Sequence, residues 1–198
     1  MNDYESWEIK GHTLEYYDED HQYICDGLMM PSITEILATK FHKYDGVSKE
    51  LLKERAAEGT RVHEAIEKLC KTGVEEDLPE VRNFLFLSKA FGFEAVNNEV
   101  PVILFHRHEP LACGRLDLVI RSNNGLGLAD IKRTSVLDRD YLFYQLNLYR
   151  MAYEDCYDEK IDFLVGLHLK GNKRRYAPIP INPPMAWELV MEYMRREE

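Results

Sequence analysis

Hydrophobic positions recur along this chain in two patterns, one typical of strands and one typical of helices. Three runs rich in Val, Ile, Leu and Phe, at 93–105, 111–121 and 126–131, have the length and composition of β-strands. Ser122-Asn123-Asn124-Gly125, between the second and third runs, carries the Asn-Gly signal of a tight hairpin turn. These two strands are therefore predicted to pair antiparallel.

Helical stretches precede and follow these strands. Ser32 and Glu35 have the S-x-x-E spacing of a capping box, which predicts the start of a first helix. Pro79 suits a first helical turn and begins a helix over 80–91. Further helices are predicted over 48–72, 138–157 and 183–196, and the last is expected to pack on the sheet edge through Trp187, Val190 and Met194.

The long helix over 48–72 contains a glycine in its interior. Gly73 ends this helix, as glycine commonly does. Gly59 costs about 1 kcal/mol relative to alanine inside a helix, so it often marks a break or a close approach. We expect a break, or a new helix start near Thr60, that directs His63 inward.

Shorter strands lie at both ends of the chain. The pattern predicts strands over 13–17 and 22–25, which would form a small hairpin outside the core. A strand over 161–169, reached through the helix 138–157, should lie parallel to a neighbour with a right-handed connection. The basic segment 170–175 predicts a hairpin turn that leads into a strand at 175–179. This turn either lies in solvent and protects a sheet edge or contacts DNA.

Charged residues inside the apolar strands need a physical reason. Asp130 and Lys132 share one face of their strand, and an ion pair would explain both. Asp117 on the paired strand adds a second carboxylate, which is repelled by the first unless a cation lies between them. A divalent metal bound by Asp117, Asp130 and the Ile131 carbonyl would remove the repulsion between the two carboxylates, because hard cations bind carboxylate and carbonyl oxygens.

Four sequence elements in this order are typical of one enzyme class. They are Gly59-Thr60-Arg61-Val62-His63, Gly114-x-x-Asp117, Asp130-x-Lys132 and Gln145-x-x-x-Tyr149. Over residues 30 to 170 the chain resembles the RecB-type branch of the PD-(D/E)XK nucleases. The segment 30–37 also resembles the start of phage-type and mitochondrial genome-maintenance exonucleases within that branch. Leu116 stands where the superfamily name has proline.

The resemblance implies a fold. It is an α/β (α+β) domain spanning 1–198, with a restriction-endonuclease-like αβββαβ core at 31–170 and a central mixed sheet flanked by helices. An N-terminal hairpin extension is expected over 1–30, and a C-terminal strand and helix over 171–198.

The resemblance also implies roles for individual residues. Asp117, Asp130 and Lys132 would be catalytic, and His63 would join Asp117, Asp130 and the Ile131 carbonyl around one or two Mg²⁺ or Mn²⁺ ions. Without the resemblance, a lone helical histidine such as His63 is more often structural. The predicted substrate-binding residues are Gln145, Tyr149, Arg61 and Arg133, with Arg55 as a further phosphate contact and Glu67 and Glu99 as auxiliary residues.

Two of these interpretations remain open at the level of sequence. Glu99 either supports the site or faces solvent. Tyr149 either lines the substrate path or packs as an ordinary core residue, which is the interpretation favoured for Tyr141, Tyr144 and Tyr153.

Composition and charge limit the partners, cofactors and location that can be expected for the protein. The net charge of −10 argues against a nucleic-acid partner, although cations can be concentrated in one groove. The four cysteines form no C-x-x-C, so neither an iron–sulfur cluster nor zinc is expected. With no signal-peptide pattern and no apolar run of membrane-spanning length, a cytoplasmic protein is expected.

The function implied is a metal-dependent DNA exonuclease that hydrolyses phosphodiester bonds from single-stranded or duplex ends, in phage or prophage recombination, repair or replication. A recombinase or a single-strand-binding protein is a candidate partner. The alternatives are an endonuclease of the same superfamily and a non-catalytic DNA-binding or recombination-partner protein.

Overall fold

The computed structural model describes residues 4–18, 21–41 and 49–197, with side chains described throughout except at 49–56 and 197. Within these ranges the chain forms nine strands and five helices. None of the described helices combines the length and the apolar character that crossing a membrane requires.

A five-stranded mixed sheet forms the centre of the fold. Its strands are β5 (Phe93–His106), β6 (Glu109–Ser122), β7 (Gly125–Lys132), β8 (Phe163–Lys170) and β9 (Lys173–Ile179), in the order β5-β6-β7-β8-β9. Neighbours are antiparallel except β7 and β8, which are parallel. The predicted meander and parallel returning strand are therefore confirmed, because a helix between β7 and β8 returns the chain to the same end of the sheet.

Helices cover both faces of this sheet. They are α1 (Ile33–Ala38), α2 (Lys49–Thr72), α3 (Pro79–Phe91), α4 (Arg139–Tyr157) and α5 (Pro183–Glu197). Side chains of α2 and α3 build one apolar core against the sheet, and side chains of α1, α4 and α5 build the other. The predicted α/β (α+β) class, with a mixed sheet between helices, is confirmed. Ser32 and Glu35 form the predicted capping box.

The N-terminal hairpin belongs to a small antiparallel sheet. The sheet contains β1 (Tyr4–Ile9), β2 (His12–Tyr17), β3 (Gln22–Cys25) and β4 (Leu28–Met30). The expectation that the hairpin lies outside the core is wrong, since Leu14, Tyr16, Tyr23 and Cys25 are buried in the same cluster as α1 and α4. Alternation explains this result, because every second residue of β2 and β3 turns one apolar face inward.

Helix α2 runs without interruption through Gly59, so the predicted break is wrong. A β-carbon at Gly59 would meet no described atom within 4 Å, which also excludes a close approach by the described residues. Buried Val62 and Ile66 anchor the helix to the sheet. Packing of this kind outweighs a glycine cost of about 1 kcal/mol. The end at Gly73, with φ of 73°, is as predicted.

Helix α5 packs mainly on α4 and α1. Of its predicted contact residues, Trp187 does stack on His106 at the end of the edge strand β5, with ring centroids 5.7 Å apart. Val190 is fully buried in the shared core, and Met194 packs against it. The predicted packing on the sheet edge is thus found for Trp187, whereas Val190 and Met194 pack in the core shared with α1 and α4.

Candidate active site

Most of the predicted site residues line one cleft of about 500 Å³. Its walls come from the N-terminal sheet, α1, α2, strands β5 to β7 and α4. Distant parts of the sequence therefore converge at one place. The predicted residues that line it are His63, Glu99, Asp117, Asp130, Ile131, Lys132, Gln145 and Tyr149.

One imidazole and two carboxylates meet at the wall of this cleft. Nδ1 of His63 lies 3.2 Å from Oε1 of Glu99 and 3.7 Å from Oδ1 of Asp117. One ligand atom from each of these residues lies within 4.8 Å of the other two, a spacing that a single metal ion can bridge. The backbone N–H of Ile131 donates to Oδ2 of Asp117 at 2.6 Å, which orients that carboxylate. The Glu99 carboxylate therefore faces His63 and Asp117 and does not point into open solvent.

The protonation of His63 reflects these neighbours. Burial opposes the charged imidazolium, but Asp117 and Glu99 outweigh it and raise the pKa of His63 to about 9. In the metal-free protein a positive charge therefore sits among the carboxylates at neutral pH. A bound divalent cation would replace that proton, and a nitrogen donor beside two carboxylates suits Mn²⁺ better than Mg²⁺.

Asp130 and Lys132 form a buried ion pair beside this cluster. Asp130 is only 2% exposed, and its Oδ2 lies 2.5 Å from Nζ of Lys132. Burial raises the pKa of Asp130, while Lys132 opposes that rise. Burial would lower the pKa of Lys132, but Asp130 and Asp117 outweigh it and raise that pKa. Lys132 is therefore an ammonium at neutral pH.

Two buried acceptor oxygens in the cleft lack hydrogen bonds from the described residues. One is Oδ2 of Asp130, which has the ion pair but no hydrogen bond of regular geometry, and the other is Oε1 of Gln145. A buried acceptor without a donor is costly, and such atoms commonly mark a place for an ion, water or ligand. Gln145 is 5% exposed, so its orphaned oxygen fits a cleft that takes up a cation or a donor group.

Three other predicted residues lie outside the lining of this cleft. Arg61 is exposed on α2, and Glu67 forms an ion pair with Lys71 in an adjoining groove. Arg133 pairs with carboxylates of α2 and α3, Glu58 at 3.3 Å and Glu80 at 3.2 Å. The side chain of Arg55 lies outside the described residues.

Arg115 also lines this cleft, although it was not predicted from the sequence. Its Nε lies 2.9 Å from Oε2 of Glu99 and its Nη1 2.9 Å from Oε1 of Glu5, while its guanidinium carbon lies 4.8 Å from the ring centre of Tyr16. These contacts hold Glu99 toward His63. Strand alternation carried the signal, because Arg115 and Asp117 are two positions apart on β6.

Glu99 has an uncommon backbone conformation. Its φ of 47° is left-handed, a region that costs most residues energy. The register of β5 and β6 pairs Asn98 with Leu118 and Val100 with Leu116, which places Glu99 opposite Asp117. Strained residues of this kind cluster at functional sites, where surrounding contacts hold them.

Comparisons with known proteins add a distant structural likeness. No protein-family model matches the chain, and no curated protein matches it. Among solved structures, the crystal structure of SSO0001 is similar with a TM-score of 0.48 and 15% sequence identity, covering 85% of this chain and 77% of that one.

Proposed function

We propose that this protein is a metal-dependent deoxyribonuclease that acts as an exonuclease. The observation that carries the proposal is the convergence of His63, Glu99 and Asp117 within 4.8 Å, beside the buried pair of Asp130 and Lys132. The resemblance to RecB-type nucleases supports the same chemistry. The resemblance of 30–37 to phage-type exonucleases favours cleavage from DNA ends.

The donor atoms suit one divalent cation. Nδ1 of His63, a carboxylate oxygen of Glu99 and Oδ1 of Asp117 would hold Mn²⁺ or Mg²⁺. Asp130, which was also predicted to be a ligand, is paired with Lys132 through Oδ2 and would complete the set through its second carboxylate oxygen. When bound, such an ion lowers the pKa of a coordinated water and neutralises charge on a phosphate.

Lys132 would act as a cation and not as a base. Two carboxylates keep its ammonium protonated, so at neutral pH it has no free pair to accept a proton. Its role is to donate hydrogen bonds to phosphate oxygen and to stabilise the negative charge that grows there. Asp130 holds this ammonium in place, at 2.5 Å. Gln145 and Tyr149 on α4 form the wall against which the substrate would rest.

To test the proposal, the protein is incubated with Mn²⁺ or Mg²⁺ and three DNA substrates. They are end-labelled linear single strands, end-labelled linear duplex and a closed circle. Linear DNA should be shortened from its ends and the circle left intact. Glu99→Gln should abolish cleavage. Glu67→Gln, the same change on a carboxylate outside the cleft, should leave it unchanged.

Other results of this assay favour the alternatives. Cutting of the circle would support an endonuclease of the same superfamily. Binding of DNA without cleavage under every metal condition would support a non-catalytic recombination partner. We also propose that the protein is cytoplasmic and acts in recombination, repair or replication.

A further inference from the structure

The β8–β9 hairpin, residues 170–175, concentrates positive charge in a strongly acidic chain. It holds four cations, and no Asp or Glu occurs between Asp162 and Glu188 although the chain has 35 acidic residues. All six hairpin residues are exposed. The turn itself is Gly171-Asn172, and Lys173 begins β9 two positions before the predicted strand start.

Strand register places this hairpin at the same end of the sheet as the candidate site. Lys132, the last residue of β7, is aligned with His168 on the parallel strand β8. Lys170 follows two positions later, about 7 Å farther along the strand at about 3.3 Å per residue. The hairpin therefore projects just beyond the end of the strand that carries Asp130 and Lys132.

Three of the four hairpin cations share the sheet face of Lys132. Residues directly opposite one another project from the same face. His168 pairs with Arg175, and Lys170 pairs with Lys173, so all of these project with Lys132. Arg174 projects from the other face, where its guanidinium carbon lies 3.6 Å from the ring centre of Phe86 on α3.

Polar contacts hold the hairpin and the segment after Lys132 together. Nδ2 of Asn83 on α3 donates to the carbonyl oxygens of Gly171 at 2.7 Å and Lys173 at 3.3 Å. Nζ of Lys173 donates to the Ser135 carbonyl at 2.7 Å. Nε2 of His168 bonds to the Thr134 carbonyl, also at 2.7 Å. The hairpin backbone and the Lys173 side chain are thus held in place relative to the candidate site.

We propose that Lys170, Lys173 and Arg175 form a phosphate-binding exosite for the DNA strand, separate from the cleft where cleavage occurs. The inference rests on the proposed function for the identity of the ligand. Several cations on one sheet face, beside the proposed site of phosphodiester cleavage, match a polynucleotide backbone, whose phosphates repeat along the strand. An acidic protein segment is the other ligand that such charge attracts.

The test compares two double variants with the same change in net charge. Lys170→Glu with Arg175→Glu alters the exosite, and Lys89→Glu with Arg174→Glu alters the α3 face of the sheet. Binding of a fluorescent 20-nucleotide single strand is measured by anisotropy in EDTA over a range of salt. Thermal unfolding checks that both variants remain folded.

The exosite variant should bind at least about tenfold more weakly, and its salt slope should fall by about 1.4, at about 0.7 per lost phosphate contact on a single strand. The control variant should show a smaller loss. Equal losses in both variants, or wild-type affinity in the exosite variant, would overturn the exosite. Polyglutamate is added as a competitor at the same total charge as unlabelled DNA. If it displaces the labelled strand as effectively as DNA does, DNA is not the preferred ligand.

Failure of the exosite and failure of the proposed function give different results. Hydrolysis of bis(p-nitrophenyl) phosphate, which is too small to reach the hairpin, should be the same in wild type and exosite variant. Retained hydrolysis with unchanged DNA affinity rejects the exosite and leaves the nuclease. Absent hydrolysis with a selective loss of DNA affinity rejects the nuclease and leaves the exosite.

Discussion

Gly114 lies directly against the ring of Tyr149, so a β-carbon at position 114 would be 2.7 Å from Cε1 of that tyrosine. The contact joins β6, three residues before Asp117, to α4 at the wall of the cleft. It supplies a physical reason for glycine in the Gly-x-x-Asp pattern. Tyr149 is 5% exposed, and burial raises its pKa well above the ordinary value, so it is a neutral packing surface.

Gly114→Ala should therefore displace the Tyr149 ring and destabilise the fold by about 1–3 kcal/mol, the usual cost of overpacking. Urea unfolding measures this cost, and DNA cleavage should fall with it. In a Tyr149→Ala background the added methyl group has room, so the cost of Gly114→Ala should nearly vanish. An equal cost in both backgrounds would show that the ring is not the obstacle.

The buried pair of Asp130 and Lys132 predicts a stability effect that depends on pH. Lys132→Met leaves a buried carboxylate unpaired, which should cost about 3 kcal/mol at pH 8. Burial already raises the pKa of Asp130 above its unfolded value, and losing Lys132 raises it further. The folded state of the variant then favours protonated, neutral Asp130. The destabilisation caused by Lys132→Met should therefore shrink as pH falls through the pKa of Asp130 in the folded protein.

Urea unfolding at pH 5 and pH 8 checks this prediction. Adding Asp130→Asn to Lys132→Met removes the unpaired charge and should restore most of the lost stability. A cost of Lys132→Met that is the same at both pH values, or that persists in the double variant, would contradict the pairing.

His63 predicts that metal binding releases a proton. Its folded pKa of about 9 lies above the ordinary 6.5, so the imidazolium contacts stabilise the fold below pH 6.5 and are lost as pH rises through 9. Because Mn²⁺ needs the neutral imidazole, its apparent affinity should rise about tenfold per pH unit between about pH 7 and 9 and then level.

Calorimetric titration with Mn²⁺ in two buffers of different ionisation enthalpy counts the protons released. About one proton per ion is expected near pH 7 for the wild type. His63→Ala should bind Mn²⁺ more weakly and release none. Proton-free binding by the wild type would exclude His63 as a ligand.

The left-handed backbone of Glu99 predicts a conflict between stability and function. Glycine adopts φ of 47° freely, whereas a β-carbon makes that conformation cost about 1–2 kcal/mol. Glu99→Gly should therefore be more stable than Glu99→Ala by about 1 kcal/mol. Both variants lack the carboxylate, so both should lose Mn²⁺ affinity to the same extent. Equal unfolding free energies would show that the backbone at this position is unstrained.

The local pattern of the chain was enough to predict most elements of the central fold. The three strands of the meander, the Ser32 capping box, the end of α2 at Gly73 and the helix between β7 and β8 depend on neighbouring residues. Alternation also placed Asp130 and Lys132 on one face of β7. Such features follow from sterics and hydrogen bonding within a few residues.

Only the tertiary structure decided the features that depend on distant contacts. Packing against the sheet carries α2 through Gly59, where the local cost alone predicts a break. Glu99 faces His63 because Arg115 and the β5–β6 register hold it there, and Arg133 pairs with carboxylates that lie far away in the sequence. Propensity and periodicity report what each segment prefers by itself, whereas the partners of a charged side chain are chosen when the segments assemble.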